Sequence, residues 1–270
     1  MSGALERFKQ CIEERRLPYR IKHRLGNLHT LPDFIIIGGQ KCGTTTMYDL
    51  ICRHPNVHRA DQKEMHFFST GYERGVGWYR ARFPLHLRRV IAARCGTPWI
   101  TGEATPNYLN CATRIGPEVP ERVRQLVPNT KLIVLLRDPV DRAYSQGRMN
   151  KRRGIEDKSF DEAIHAKPTY LAHGTYARHL KVWKQYFYTD QFHIIQSEIF
   201  RQATQDVLSN AYNSLELPSH KLQDYSPTYQ SGSRAPMSQK VESELISYYD
   251  THNKELEELV ERTFNSWKSL

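Results

Sequence analysis

The chain has 270 residues, 39% of them hydrophobic and 25% charged, and its 39 Lys and Arg against 29 Asp and Glu give a formal net charge of +10. That length suits one large domain with a sizeable core, and the near-average composition excludes wholesale disorder. The positive surplus points to anionic partners, whether nucleotide, nucleic acid, membrane surface or acidic polymer, and does not choose among them.

Residues 1–31 are basic with scattered apolar positions at Leu5, Phe8 and Ile12, which predicts a short helix and a connecting arm packed on the domain. They hold no apolar signal-peptide core, and no run of about 18 apolar residues occurs, so the chain as written reads as soluble with no membrane segment. Cys11, Cys42, Cys52, Cys95 and Cys111 are odd in number and form no CxxC pair. Free buried thiols are expected, with no zinc site and no disulfide framework.

Phe34–Thr46 (FIIIGGQKCGTTT) is the stretch around which the chain is organised. Four apolar residues, a glycine pair, Lys41, Gly43 and three threonines predict a buried strand turning through a tight loop into a helix. Successive backbone N–H groups, the helix start, lysine and hydroxyls make such a loop an anion cradle. A βα turn with incidental threonines is the ordinary alternative. The helix runs from Thr44 to about His54, with Met47, Leu50 and Ile51 on one face and Pro55 closing it. From Val57 the chain is expected to cross back to a short strand near 65–68.

Trp78, Tyr79 and Phe83 mark an amphipathic core segment, and residues 99–103 (WITGE) a short strand ending on a polar tip. Val119, Val123 and Leu126 predict a helix over 117–127. Lys131–Leu136 (KLIVLL) is the continuous apolar run of a doubly covered parallel strand, ended by Arg137-Asp138-Pro139. A helix from Val140 carries Arg142, Tyr144 and Ser145, and the charge-dense residues 148–158 read as a solvated loop. Tyr176, Leu180, Trp183 and Phe187 form a helical core stripe; 192–195 is another strand and 203–215 another helix. Residues 224–240, rich in Ser and Pro, read as a mobile loop, and a long helix over 238–264 closes the chain. Strands alternating with helices predict an α/β fold of three layers around a mostly parallel sheet, a single domain over 32–270. Ligands in such sheets sit beyond the carboxyl ends of the strands, which places Gly38–Thr46, Glu103 and Arg137 on one rim.

The loop departs from the triphosphatase pattern G-x-x-x-x-G-K-[ST], because Thr44 follows Gly43 and the only lysine, Lys41, precedes that glycine. The partner strand ends in Arg137, where a magnesium carboxylate would be expected. Two strand ends rich in cations and amides suit a nucleotide with phosphates at two positions.

These two segments resemble those of a known family. The loop resembles the 5′-phosphosulfate loop of sulfotransferases that use 3′-phosphoadenosine 5′-phosphosulfate (PAPS), and Leu132–Ser145 (LIVLLRDPVDRAYS) resembles their 3′-phosphate segment. Within that family the chain is most similar to the heparan-sulfate and carbohydrate type: residues 63–68 (KEMHFF) resemble the E-x-H-F-F segment, 102–108 (GEATPNY) the E-K-[TS]-x-x-Y segment, and 248–256 (YYDTHNKEL) the C-terminal helix. The resemblance implies the P-loop-like fold and PAPS as co-substrate, with no metal. Lys41 would meet charge developing on the oxygen between phosphate and sulfate, while Gln40, Cys42, Gly43, Thr44, Thr45 and Thr46 complete the 5′-phosphate loop. Arg137 and Ser145 would bind the 3′-phosphate. Ser233 and Arg234, in a segment similar to the K-G-R-x-x-P loop, would cover it.

Glu64 is the implied general base. His66, two residues on and on the same side of a strand, would orient it or meet the acceptor. Lys63, Glu103 and Asn107 are substrate-binding candidates. Ala104 stands where many heparan-type enzymes carry a lysine near the transferred group, which Lys63 is placed to replace, and the cysteine pair those enzymes carry before the late loop is missing. The resemblance implies a hydroxyl-bearing acceptor, a glycan by preference, and a small alcohol, lipid or phenol as the alternative; it implies no nucleic acid, and leaves the oligomeric state open. A P-loop kinase and a non-catalytic polyanion binder are the readings from other classes. Cytoplasmic location fits the chain as written, and the Golgi lumen fits a fragment of an anchored enzyme.

Overall fold

The computed structural model describes residues 25–112, 116–223, 237–264 and 267–268. The helix expected within the first 31 residues, and Ser233 and Arg234, lie outside the described residues.

β1 (Phe34–Gly38) leads through the glycine loop into α1 (Thr44–Ile51), and β2 (Val57–Arg59) comes after it. Two helices come next, α2 (Val76–Arg80) and α3 (His86–Arg94), before β3 (Ile100–Ala104). α4 (Glu118–Leu126) precedes β4 (Lys131–Leu136), and α5 (Pro139–Arg152) leaves it at once. α6 (Phe160–Ala166), α7 (Thr169–Ala172) and α8 (Tyr176–Trp183) lead to β5 (Phe192–Gln196). α9 (Ser197–Gln202), α10 (Thr204–Ser214) and the long α11 (Gln239–Val260) complete the chain.

The five strands form one all-parallel sheet in the order β2-β3-β1-β4-β5. β1 and β4 are apolar on both faces because both faces are covered. Ile35, Ile37, Leu132 and Val134 pack with Phe67, Tyr79, Tyr108 and Trp183 on one side, whereas Phe34, Ile36, Ile133 and Leu135 pack with Met47, Leu50, Leu208 and Tyr212 on the other. A smaller cluster joins Val140 and Ala143 of α5 to Ile164, Tyr170, Leu245 and Tyr249.

The chain leaves β1 toward β2, returns to β3 beside β1, then crosses to β4 on the opposite side. The crevice beyond the carboxyl ends of β1 and β4 is therefore the topological switch point of the sheet, the place where ligands of such folds sit.

Three expectations need correction. The second strand is Val57–Arg59; residues 65–68 form a turn-rich loop, because Glu64 and His66 take left-handed backbone conformations (φ 55° and 52°) that interrupt extended pairing. The helix after β4 runs on to Arg152, absorbing much of the charged segment expected as loop, since Lys and Arg are good helix formers and suit a helix C-terminus. Cys95, at the end of α3, is exposed and Cys52 half-buried where buried thiols were expected; α3 buries none of its residues, so nothing covers Cys95. Among the described residues no helix is long and apolar enough to cross a membrane.

Candidate active site

The loop between β1 and α1 is fixed from below. The amide of Gly39 donates to the Leu135 carbonyl at 2.6 Å, and that of Cys42 to the Gly39 carbonyl at 3.2 Å. A Cβ on Gly38 would lie 2.4 Å from that of Leu109, so only glycine lets the strand end pass. Gly43 has φ 91°, the left-handed region that glycine enters without steric penalty, and this turn starts the helix. Gly43 and Thr45 are exposed and Lys41 and Thr46 half-buried, so the cradle opens outward; Thr44 is buried beneath it.

Cys42 points the other way. Its thiol is buried, 3.7 Å from the Tyr176 hydroxyl, its pKa raised chiefly by that burial, and its carbonyl accepts from Ser197 Oγ at 2.6 Å. With its amide also engaged, Cys42 anchors the loop and presents no side chain to the crevice.

Arg137 comes directly after β4 and faces the cradle. One terminal nitrogen donates to the Lys41 carbonyl at 3.5 Å and the other meets Asp141 Oδ2 at 3.2 Å, while the Tyr176 hydroxyl donates to the Arg137 carbonyl at 2.9 Å. α5 starts sharply: Asp138 Oδ1 accepts from the amides of Val140 (2.8 Å) and Asp141 (3.1 Å), and Pro139 occupies the first turn. Asp141, Ser145 and Met149 are four residues apart and share a helix side. Asp141 touches Arg137 and Met149 Sδ lies 3.5 Å from Lys41 Nζ, so Ser145 is carried to the same crevice between them.

Two buried polar atoms here have no hydrogen-bond partner among the described residues, Arg137 Nε and Gln40 Oε1. A buried guanidinium N–H without an acceptor is costly. An anion in the crevice would supply one, and rotation of the Gln40 amide would turn its NH2 to the same anion. The residues present therefore fit a phosphorylated ligand.

On the β3 side, the Glu64 amide donates to the Ala104 carbonyl at 2.9 Å, and Met65, Phe67 and Phe68 are buried, which leaves Lys63 and Glu64 at the surface of the crevice. Lys63 Nζ hydrogen-bonds Thr45 Oγ1 at the start of α1 and lies 3.4 Å from Glu64 Oε1. The half-exposed Glu64 carboxylate is thereby linked through one ammonium group to the cradle. The strand alternation that would set His66 on the same side as Glu64 does not apply. Both residues are left-handed with no strand present, and no hydrogen bond or ion pair joins the two among the described residues.

Glu103 is not brought to the open crevice. It is fully buried in β3, accepts from the Tyr79 hydroxyl (2.6 Å) and Thr105 Oγ1 (3.0 Å), and burial raises its pKa to about 7. Asn107 is half-buried, its Oδ1 engaged by Asn110 Nδ2 at 3.0 Å. Residues that were not site candidates support the site from behind. Tyr176 ties Arg137 to Cys42. Arg142, fully buried, donates to Gln146 Oε1 at 2.7 Å and to the Tyr170 carbonyl. Near the C-terminus the Lys268 amide donates to Asp138 Oδ2 at 2.6 Å, and Trp267 Nε1 to Glu198 Oε2 at 3.2 Å. Neither Tyr176 nor Trp267 carries a polar signal in the sequence; their hydroxyl and indole N–H become meaningful only once the fold sets them against the loop.

Comparison with known proteins gives a consistent result. A family model described as a sulfotransferase domain matches residues 31–269. The bifunctional heparan sulfate N-deacetylase/N-sulfotransferase 3 of Homo sapiens is 30% identical over 276 residues, covering 86% of this chain and 30% of that protein. The heparan sulfate glucosamine 3-O-sulfotransferase 3B1 of Mus musculus is 34% identical over 177 residues, 62% of this chain and 42% of its own. The chain thus spans less than half the length of these two curated relatives. Among solved structures, a sulfotransferase from Alicyclobacillus acidocaldarius superposes with a TM-score of 0.70 at 24% identity, over 88% of this chain and 99% of that one, a likeness of fold.

Proposed function

The chain belongs to the sulfotransferase family, and we propose that it moves the sulfuryl group of PAPS to a hydroxyl of a carbohydrate acceptor by in-line displacement. The acceptor oxygen bonds to sulfur as the bond from sulfur to the 5′-phosphate oxygen breaks, the leaving nucleotide keeps that electron pair, and Glu64 takes the acceptor proton. Lys41, Gly43 and Thr44–Thr46 hold the 5′ side, and Arg137 with Ser145 the 3′-phosphate. Their donors are fixed before the reaction, so charge developing on the leaving oxygen is met without reorganisation.

The observation that carries this reading is Lys63, which bridges Thr45 of the cradle and Glu64. A base and a phosphate loop joined by one ammonium group suit a transfer in which the acceptor is deprotonated beside the donor. The Glu64 amide is pinned to the Ala104 carbonyl, which keeps Lys63 close to position 104 and supports its taking the part of the lysine absent there. A carbohydrate acceptor is supported by the heparan sulfate relatives and the +10 charge.

Calorimetry with the desulfated nucleotide, paired with turnover of labelled PAPS on glycan, small-alcohol and phenol acceptors, tests the proposal. Arg137→Ala should weaken nucleotide binding by about 100-fold, as the loss of charge-assisted bonds predicts. Glu64→Gln should leave binding intact and lower turnover by about 10²–10⁴. Undiminished turnover in Glu64→Gln would remove the base, and transfer to phenols or alcohols but to no glycan would remove the carbohydrate.

A further inference from the structure

The Arg137 side of the crevice is backed by residues near the end of the chain. Trp267 is buried with its indole N–H on Glu198, and the next residue, Lys268, meets two aspartates at the start of α5. Its amide donates to Asp138 Oδ2 at 2.6 Å, and its Nζ lies 3.4 Å from Asp141 Oδ1. Glu242 of α11 holds the same ammonium group at 2.6 Å, so the exposed lysine is aimed by its partners rather than by burial.

Asp141 is also the carboxylate that Arg137 touches. Arg137 reaches Asp141 Oδ2 through Nη2 at 3.2 Å, its Nη1 meets the Lys41 carbonyl at 3.5 Å, and its buried Nε has no acceptor among the described residues. Nε and Nη2 form one edge of the guanidinium, on which a carboxylate or phosphate can bind through two parallel bonds. Asp141 covers half of that edge, its other oxygen being held by Lys268. The Arg137 and Asp141 side chains are only 12% and 19% exposed, so a phosphate and this carboxylate compete for the edge largely out of water, where screening is weak.

We infer that Lys268 is a positioning residue for the 3′-phosphate: by holding one oxygen of Asp141 it prevents a two-bond pair with Arg137 and leaves the Nε edge to the nucleotide. The inference rests on the PAPS reading above. Without the ammonium group, Asp141 turns both oxygens to Arg137, and a 3′-phosphate then has to displace a carboxylate. The 5′-phosphate is met by the loop after β1, so its hold changes little. Lys268 therefore acts through Asp141 and Arg137, and sets the preference for a nucleotide phosphorylated at the 3′ position.

The test is calorimetric titration of adenosine 3′,5′-bisphosphate and of adenosine 5′-phosphate into wild type, Lys268→Met, Lys268→Arg and the double variant Lys268→Met/Asp141→Asn. Methionine keeps the length of the side chain and the backbone amide on Asp138, so the ammonium group alone is lost. Lys268→Met should bind the bisphosphate about tenfold more weakly, the scale of one charge-assisted hydrogen bond, and the 5′-phosphate within about twofold of wild type. Lys268→Arg should restore the bisphosphate affinity, and so should the double variant, because asparagine does not compete as an anion. Equal weakening of both nucleotides, or a double variant as weak as Lys268→Met, would make the lysine merely structural and overturn the inference. A wild type that binds both nucleotides alike would overturn the PAPS reading and this inference with it, whereas a wild-type preference that survives in Lys268→Met would sink the inference alone.

Discussion

Replacing Glu103 by Gln should remove the pH dependence of stability that this one side chain imposes. Glu103 is fully buried in β3 with two hydroxyl partners, Tyr79 and Thr105, and burial raises its pKa from 4.5 to about 7. The unfolded chain releases this proton near 4.5 and the folded chain near 7, so between those values the folded state binds more protons and stability falls as pH rises. The contribution is complete below the unfolded value and gone above the folded one. At about 1.4 kcal/mol per pH unit, the difference amounts to about 3 kcal/mol. Gln keeps the shape and can bond both hydroxyls but cannot ionise, so the variant should be more stable than wild type at about pH 8 and lose that advantage toward about pH 5. His173 and His179, held by burial at about 3 and about 4, act in the opposite direction, lowering stability as pH falls below 6.5, but they do so in both proteins and cancel in the comparison. Urea unfolding at several pH values, with equal slopes in denaturant, measures the difference. Parallel stability curves for the two proteins across this range would refute the assignment of a neutral, buried Glu103.

Three further perturbations address the crevice. Lys63→Ala should lower turnover by about 10² with nucleotide affinity little changed, because one donor near the developing charge is lost; steady-state kinetics beside calorimetry separates the two effects, and full turnover would show the bridge to be incidental. Gly38→Ala would set a methyl group 2.4 Å from Leu109 Cβ, and overpacking at a strand end should cost about 1–3 kcal/mol and weaken the nucleotide, read by thermal unfolding and titration. Asp138→Ala removes the cap of α5 and the acceptor for the Lys268 amide, a loss of about 1–2 kcal/mol; an unchanged midpoint in denaturant would show that the cap is replaced by water.

The sheet and its switch point were legible because β1 and β4 are apolar runs ending abruptly in polar loops, and burial on both faces leaves no other reading for such segments. Lys41 and Arg137 lie together, the Arg137 guanidinium on the Lys41 carbonyl, since each comes just beyond a strand end whose direction the pattern fixes. The 63–68 segment was harder. Its aromatic anchor was visible, but the left-handed turns at Glu64 and His66 come from fitting Met65, Phe67 and Phe68 into the core, and no local signal marks them. Glu64 and Glu103 look alike as letters. One is half-exposed beside Lys63 and the other sealed beneath Tyr79, a distinction made by packing from elements far apart in the chain. Short α7 and α9, which lack a side-chain cap, likewise owe their existence to docking.

The C-terminal contacts also give this protein an optical handle. Trp267 is almost wholly buried, stacks on Phe264 with centroids 4.2 Å apart, and sits against Tyr176 at 6.0 Å. Tyr176 in turn holds the Arg137 carbonyl, so an indole chromophore lies one side chain away from the strand end at the crevice. Of the four tryptophans, Trp78, Trp99, Trp183 and Trp267, the last is the one coupled in this way to the crevice, and its emission offers a label-free readout of occupancy that a Trp267→Phe control would silence.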